Sequence, residues 1–564
     1  MRRLLVLIVL TTLLTGCAEL RQTAQSTPEP VNYATPTLAI NFPAETSTVA
    51  RMQTRGEMVV GIRYDLEPLS YITPEGELAG LEIDLARDLA RRWLGDPNAV
   101  QFRQVRSDTS FQHILSGEVD FVLAGVTRTQ QDEAQVDFSL PYFIDGQALL
   151  TFPETGIQSL ADLEGRRVGT VSWTRSQSTL AAATPVSPTY QSFPNFFDAV
   201  EALRTRQVEV YADERHRLLR AQRMVAGTVI VGQYTQTPFA AVYRQNDPFF
   251  DNLITLTLQD LVRDGTLAAL YDTWLPNVTL PAVARWPGEA PVPPLSNAPQ
   301  TLSTVDVVAR IQQRGVLAVG YFADRWPYAA DRADGIPTGF EVRLVERIAL
   351  RWFGSEQAVT FVPVTESDAL LRLAQGEVDM LIGGWLHTRE LELRGNCSIS
   401  IYDDGVSLLT NANTPVEGLA ALTGRSVGVI AGSAGEAALP EISQATGVGI
   451  APVVYPTRDA AVAGLQQGEV AALLAERGEL LDPLYRTGGF TLNDTRYTYR
   501  PLVFVLPEGD SDFRDLVNLT LMALQADGSY GELYRIWFDD PPLRLETWPG
   551  QPAIALRIEM PPRE

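Results

Sequence analysis

In the stretch LEIDLARDLARRWLG, residues 81–95, apolar side chains recur at helical spacing: Leu81, Leu85 and Leu89, with Ala86, Ala90 and Trp93 beside them. That spacing predicts an amphipathic helix laid against a core. The short apolar runs DFVLAG (120–125), RRVGTV (166–171) and VEVYAD (208–213) predict strands, while FFDAVEALRTR (196–206) returns to the helical pattern. Strands alternating with helices predict an α/β fold with parallel sheets covered on both faces. Ligands of such sheets sit beyond the carboxyl ends of the strands. The loops after VVGIR, FVLAG, VGTV and VYAD are therefore the places to search for chemistry.

The whole pattern occurs twice. RGEMVVGIR from Arg55 returns as RGVLAVGYF from Arg314, GEVDFVLAG from Gly117 as GEVDMLIGG from Gly376, and LEGRRVGTV from Leu163 as LTGRSVGVI from Leu422. Each interval is 259 residues. Later, RDGTLAALYDTW ending at Trp274 answers ADGSYGELYRIW ending at Trp537, and Trp286-Pro287-Gly288 answers Trp548-Pro549-Gly550. The amphipathic face is kept in the second copy as Phe340, Leu344, Ile348 and Trp352. A tandem duplication of one α/β unit accounts for this.

The ends and connections read differently. MRRLLVLIVLTTLLTGC has two arginines, a short apolar run and the ending Leu14-Thr15-Gly16-Cys17. It reads as a lipoprotein signal peptide, residues 1–17, cleaved before Cys17, which is then lipidated. Residues 18–50, rich in Thr, Pro, Ala and Ser, read as a flexible stalk, and 277–303 as a Pro-rich linker. The units are expected at 51–276 and 304–550, followed by a tail at 551–564. The chain is therefore expected in the cell envelope, outside the cytoplasm, touching the membrane only through its lipid.

Composition narrows the chemistry. The formal charge of −23 argues against a nucleic-acid partner. All 45 basic residues are Arg, which excludes a phosphate-loop or Schiff-base lysine. The three histidines show no zinc-ligand spacing, no cofactor motif is present, and no His–carboxylate pairing can be placed in a cleft. Cys397, the only cysteine besides Cys17, reads as a small buried apolar side chain.

The order of VGIR…PLSY, GLEIDLA, GEVDFVLAGVT, VDFSLPY, LADLEGRRVG and DGTLAALYDTW, present twice, resembles the family 3 extracellular solute-binding proteins. The resemblance implies two tandem type 2 periplasmic-binding-protein units, each of two α/β lobes joined by a hinge. The lobes would fall at about 57–147 plus 238–275 around 150–235, and 316–406 plus 500–538 around 409–498. It implies capture of a small polar solute, an amino acid or relative, for an ABC permease. A dehydratase-like enzyme and a ligand-sensing module are the alternatives on the same fold.

In that family an Arg after a Gly-x-Thr turn clamps the ligand carboxylate, an aromatic stacks on the ligand, and an Asp of the second lobe holds its ammonium. The first copy keeps Gly125, Thr127 and Asp213, but has Asp132 at the Arg position, Leu69 at the aromatic one, and Trp173-Thr174-Arg175 in place of a hydroxyl turn. The second copy keeps Gly384, Tyr328 and Ser433, has Glu476 for the Asp, and Leu386 and Leu391 for the Thr and Arg. Neither copy has the carboxylate clamp. A buried carboxylate needs charged or N–H partners, which directs attention to Arg63, Arg128 and Arg175 in the first copy and to Arg325 and Arg389 in the second. Arg175 is the leading candidate, and Arg63 and Arg128 are expected to be solvent-exposed. Thr129-x-x-Asp132 reads as a capping pair.

Overall fold

The computed structural model describes residues 42–106, 109–172, 174–276, 278–281, 286–538 and 540–559. The predicted helix forms at Leu81–Leu94 and buries Leu81, Leu85, Ala86, Leu89, Ala90 and Trp93. Its repeat, Phe340–Phe353, buries Phe340, Leu344, Ile348 and Trp352. An indole ties each helix to a neighbouring one: Trp93 Nε1 donates at 3.0 Å to Thr257 Oγ1 of helix Pro248–Arg263, and Trp352 Nε1 at 2.8 Å to Thr520 Oγ1 of helix Ser511–Ala526.

Each unit holds two five-strand sheet cores. In unit one the first runs Val100–Gln104, Met58–Ile62, Phe121–Val122, Thr237–Tyr243, Asp137–Asp145, the last two strands antiparallel to their neighbours. The second runs Thr189–Phe193, Arg167–Val171, Val210–Glu214, Gln147–Thr151, Val229–Val231. Unit two repeats both orders, with one short extra strand, Tyr402–Asp403, paired to Pro501–Leu506. The chain thus leaves the first lobe near Gly146, builds the second, and returns near Thr235. Two crossovers of this kind make a hinge.

Glycine is required at that hinge. Gly146 has φ +152°, and a β-carbon there would collide with the Thr235 carbonyl oxygen of the returning crossover. Gly405 stands in the same relation to the Thr498 carbonyl oxygen. The Asp of each GEVD motif fastens the opening helix to the sheet: Asp120 accepts from Val59 N at 2.8 Å and pairs with Arg55, and Asp379 accepts from Ala318 N at 2.8 Å and pairs with Arg314. The first described helix starts at Thr48, capped by Ser47, and Thr46 bridges Thr301, so part of the segment read as stalk, residues 46–50, packs with the folded chain.

The units pack on one another with approximate two-fold symmetry. Each Trp-Pro-Gly exit docks on the other unit: Gln130 N donates to Pro549 O at 2.9 Å, and its repeat Arg389 N donates to Pro287 O at 3.0 Å. Trp548 lies 3.8 Å under the Arg128 guanidinium, and Trp286 stacks on His387 at 3.8 Å. The stretch read as a linker is therefore a docking arm along part of its length.

Candidate functional site

The site starts with the turn after the third strand. Gly125 N donates to Glu82 Oε1 at 2.8 Å, and Glu82 also takes Ser70 Oγ at 2.5 Å and Tyr142 Oη at 2.6 Å. Glu341 does the same in unit two, accepting from Gly383 N at 2.5 Å and Gly384 N at 3.0 Å. Both carboxyls are wholly buried; burial raises that of Glu82 and pushes that of Glu341 up to about 7. These positioning residues were missed in the sequence, although an acid repeated amid an apolar face at 82 and 341 was the available signal.

Thr127 bridges Phe239, and Thr129 Oγ1 and Asp132 Oδ2 bond at 2.6 Å, the expected capping pair, although only a short 3-10 turn follows at Asp132–Ala134. Leu69 is fully buried in the lobe core, while Arg63 is held by Asp65 at 2.9 Å and is 26% exposed. From the second lobe, Asp213 sits at the end of Val210–Glu214 and is 1% exposed. It accepts from Ser176 Oγ at 3.1 Å, from Glu214 N at 2.9 Å and from Tyr211 Oη, with Arg217 3.5 Å away. Its acceptor capacity is largely taken up by its own lobe. Thr174 closes the preceding turn on Val171 O at 2.8 Å. Arg175 is exposed where helix Ser176–Ala183 begins, and among the described residues no ion pair engages it. Trp173, like Cys17, lies outside the described residues.

The two lobes of unit one touch across the cleft mouth. Arg220 and Arg223 of helix Arg215–Met224 reach Glu67 of the first lobe at 3.1 and 3.5 Å. At the hinge His216 Nδ1 meets Asp145 Oδ2 at 2.6 Å, both buried. This His–carboxylate pair lies at the hinge, and its partners, 71 residues apart, meet because the crossover folds back. A second pair, His387–Glu392 at 2.7 Å, lies at the contact between units, with Cys397 Sγ within 4.8 Å of both.

Unit two differs. The Tyr328 ring is 7% exposed and wedged between the lobes, against Gly384 on one side and Gly478 at the start of the opposite helix on the other. Asp404 accepts from Gly478 N at 2.6 Å beneath it; burial and then Glu476 push that carboxyl up to about 8. Glu476 pairs with Arg500 at 2.5 Å, Ser433 caps its helix by accepting from Glu436 N at 3.3 Å, and Arg325 lies 3.7 Å over Phe322 and pairs with Glu366. The Tyr328 ring thus occupies part of the cleft.

Two arginines stand elsewhere than expected. Arg128, expected in solvent, is 12% exposed between Glu133 and Trp548, because the exit of unit two covers it. Arg389, a candidate for the second cleft, is 1% exposed at the contact between units, where it holds Asp260 at 3.0 Å and Ala290 O at 2.8 Å. A cavity of about 400 Å³ also lies at this contact, walled by Trp286, His387, Tyr499, Arg514 and Trp548, and outside both clefts.

Comparison with known proteins bears directly on these clefts. The sequence profile of the bacterial extracellular solute-binding proteins, family 3, matches residues 58–277 and 317–540. A glutamine-binding protein of Geobacillus stearothermophilus is 34% identical over 166 residues, 29% of this chain and 63% of that protein, so the chain spans less than two thirds of its length. The ABC transporter glutamine-binding protein of Bacillus subtilis is 26% identical over 231 residues, 40% of this chain and 84% of that protein. Among solved structures, an ancestral cationic amino acid solute-binding protein is similar at 27% identity and TM-score 0.37, covering 40% of this chain and 99% of that one.

Proposed function

Because the chain belongs to the bacterial extracellular solute-binding proteins, family 3, we propose that it captures a small polar solute outside the cytoplasm and delivers it to an ABC-type importer. The observation that carries this reading is the hinge: two lobes joined only by the crossovers at Gly146 and Thr235, with Arg220 and Arg223 reaching Glu67 across the closing gap. The similarity to receptors named for glutamine supports an amino acid or related compound as the solute.

The working cleft in this reading is that of unit one. Arg175 is its uncommitted cation at a helix start, a setting that favours an anionic group. Unit two, with Tyr328 in its cleft, is assigned a supporting role. The Leu14-Thr15-Gly16-Cys17 ending supports a lipid anchor at Cys17. The group that does the work is a binding site, and no residue is assigned a catalytic role.

A ligand that binds only the folded state raises the melting temperature. Thermal-shift measurements on the full chain with amino acids, polyamines and organic acids test the proposal. A saturable rise with at least one amino-acid-like solute is expected. No rise with any of them, together with turnover of a prephenate-like acid, would favour the enzyme reading instead.

A further inference from the structure

The contact between the units is nearly two-fold, yet one half of it carries charge that the other half lacks. Glu133 and Asp137 of unit one and Asp515 of unit two each bring a carboxylate oxygen within 4.8 Å of the others. All three are at most 1% exposed. Arg128 Nε donates to Glu133 Oε1 at 2.5 Å, and Arg514 donates to Asp137 Oδ1 at 2.8 Å and to Asp251 Oδ2 at 3.0 Å. Ser511 Oγ adds a bond to Asp137 Oδ2 at 2.7 Å. Four carboxylates thus share two guanidinium groups. Among the described residues neither oxygen of Asp515 accepts a hydrogen bond, nor does Glu133 Oε2. Arg514 Nε stands 3.6 Å from Asp515 Oδ1, too far to donate. Buried carboxylates without partners are strongly unfavourable.

The molecule contains its own control. By the repeat, Glu133, Asp137 and Asp515 correspond to Glu392, Asn396 and Asn252. In its other half the fold builds this contact with two neutral amides, with His387 in place of Arg128, Asp251 in place of Arg514, and Glu508 beside Glu392 and Asn252, so acids and arginines change together between the halves.

We infer that Glu133, Asp137 and Asp515 form a site for one hard divalent cation, calcium or magnesium, which clamps the two units together. The donor set is all oxygen, as such ions require, and oxygens about 2.4 Å from a calcium ion lie no more than about 4.8 Å apart. A double positive charge balances the two carboxylates left over after Arg128 and Arg514 are paired. Because the ligands come from both units, the ion would join their unfolding into one event.

The test uses the full chain, stripped with a chelator and titrated with calcium chloride and then magnesium chloride by calorimetry and thermal melting. One saturable site per chain and a melting temperature that rises with cation concentration are expected. Asp515→Asn and Asp137→Asn copy the amides of the other half. Each is expected to fold and to lose the response, weakening binding by at least ~10-fold as ligand charge is removed. If one fails to fold, the other gives the same reading. The inference is overturned if neither cation gives saturable heat. It is equally overturned if both variants keep the wild-type melting shift, which would put the ion elsewhere on this acidic chain. A melting temperature that responds to added acid but to neither cation would assign the balancing charge to protons and overturn it as well.

Discussion

Leu69 and Tyr328 hold the same place in the two repeats and do different work. Leu69 disappears into the lobe core, whereas Tyr328 is wedged between the lobes of unit two. Truncating a buried aromatic typically costs 3–5 kcal/mol, so Tyr328→Ala is expected to destabilise unit two by about 3 kcal/mol in denaturant melts while leaving solute affinity in place. At Arg175 the opposite is expected. For an anionic solute, Arg175→Ala should cost about 2–5 kcal/mol of binding, the scale for losing one partner of a buried charge pair, with little change in melting of the empty protein because the side chain is exposed. For a cationic solute the same change should leave affinity unchanged or raise it. Buried acids set a pH signature. Asp404 is pushed up to about 8, and Glu341 and Glu508 to about 7, all chiefly by burial, from ordinary values of 3.8 and 4.5. A raised carboxyl pKa means the folded state holds the proton that the unfolded chain has lost. Their contribution to stability is present near pH 4 and drains away as pH rises to about 8. Melts between pH 5 and 8 should show the midpoint falling, and a midpoint that climbs across that window would contradict these assignments.

Among the elements, the hinge is the part on which the proposed solute capture depends. Gly146→Ala is expected to push the two crossovers apart, since a β-carbon meets the Thr235 carbonyl oxygen. Scattering should then report a more open unit one and weaker solute binding, and unchanged dimensions and affinity would show that the crossovers tolerate the methyl. Much of this layer was legible in the chain. The 3.6-residue spacing of Leu81, Leu85 and Leu89 marked the helix and its buried face correctly, and the repeat carried that face to Phe340. The alternation of strand and helix, with the family resemblance, marked the lobes and their crossovers. The destinations of single charged side chains were not legible. Arg389 and Arg128 look alike as basic residues beside a turn, and what buries each is an exit segment of the opposite unit, remote in sequence. Glu82 and its repeat Glu341 show in the sequence only as an acid repeated within an apolar helix face; the role of Glu82 lies in the Gly125 amide 43 residues away.

For the whole molecule, crosswise docking of the two Trp-Pro-Gly exits makes the units partners rather than beads on a string. Each is still proposed to fold alone, with unit one cut before Ser47 so that the helix Thr48–Arg55 keeps its cap. Each half should give a cooperative transition, at a lower temperature than in the full chain because Trp286 or Trp548 loses its seat. Loss of cooperativity in both halves would mean that the contact is essential to folding. At the membrane, Cys17→Ser is expected to move the protein from the membrane fraction to the soluble one, and retention would sink the lipid-anchor proposal. The central claim is that unit one is a working solute receptor and unit two is not. Calorimetric titration of the full chain with the solute that gives the largest thermal shift tests this most directly. One solute per chain is expected, with affinity changed by Arg175→Ala and not by Tyr328→Ala; two equivalent sites per chain, or binding that ignores Arg175 and depends on Tyr328, would overturn the assignment of unit one as the receptor.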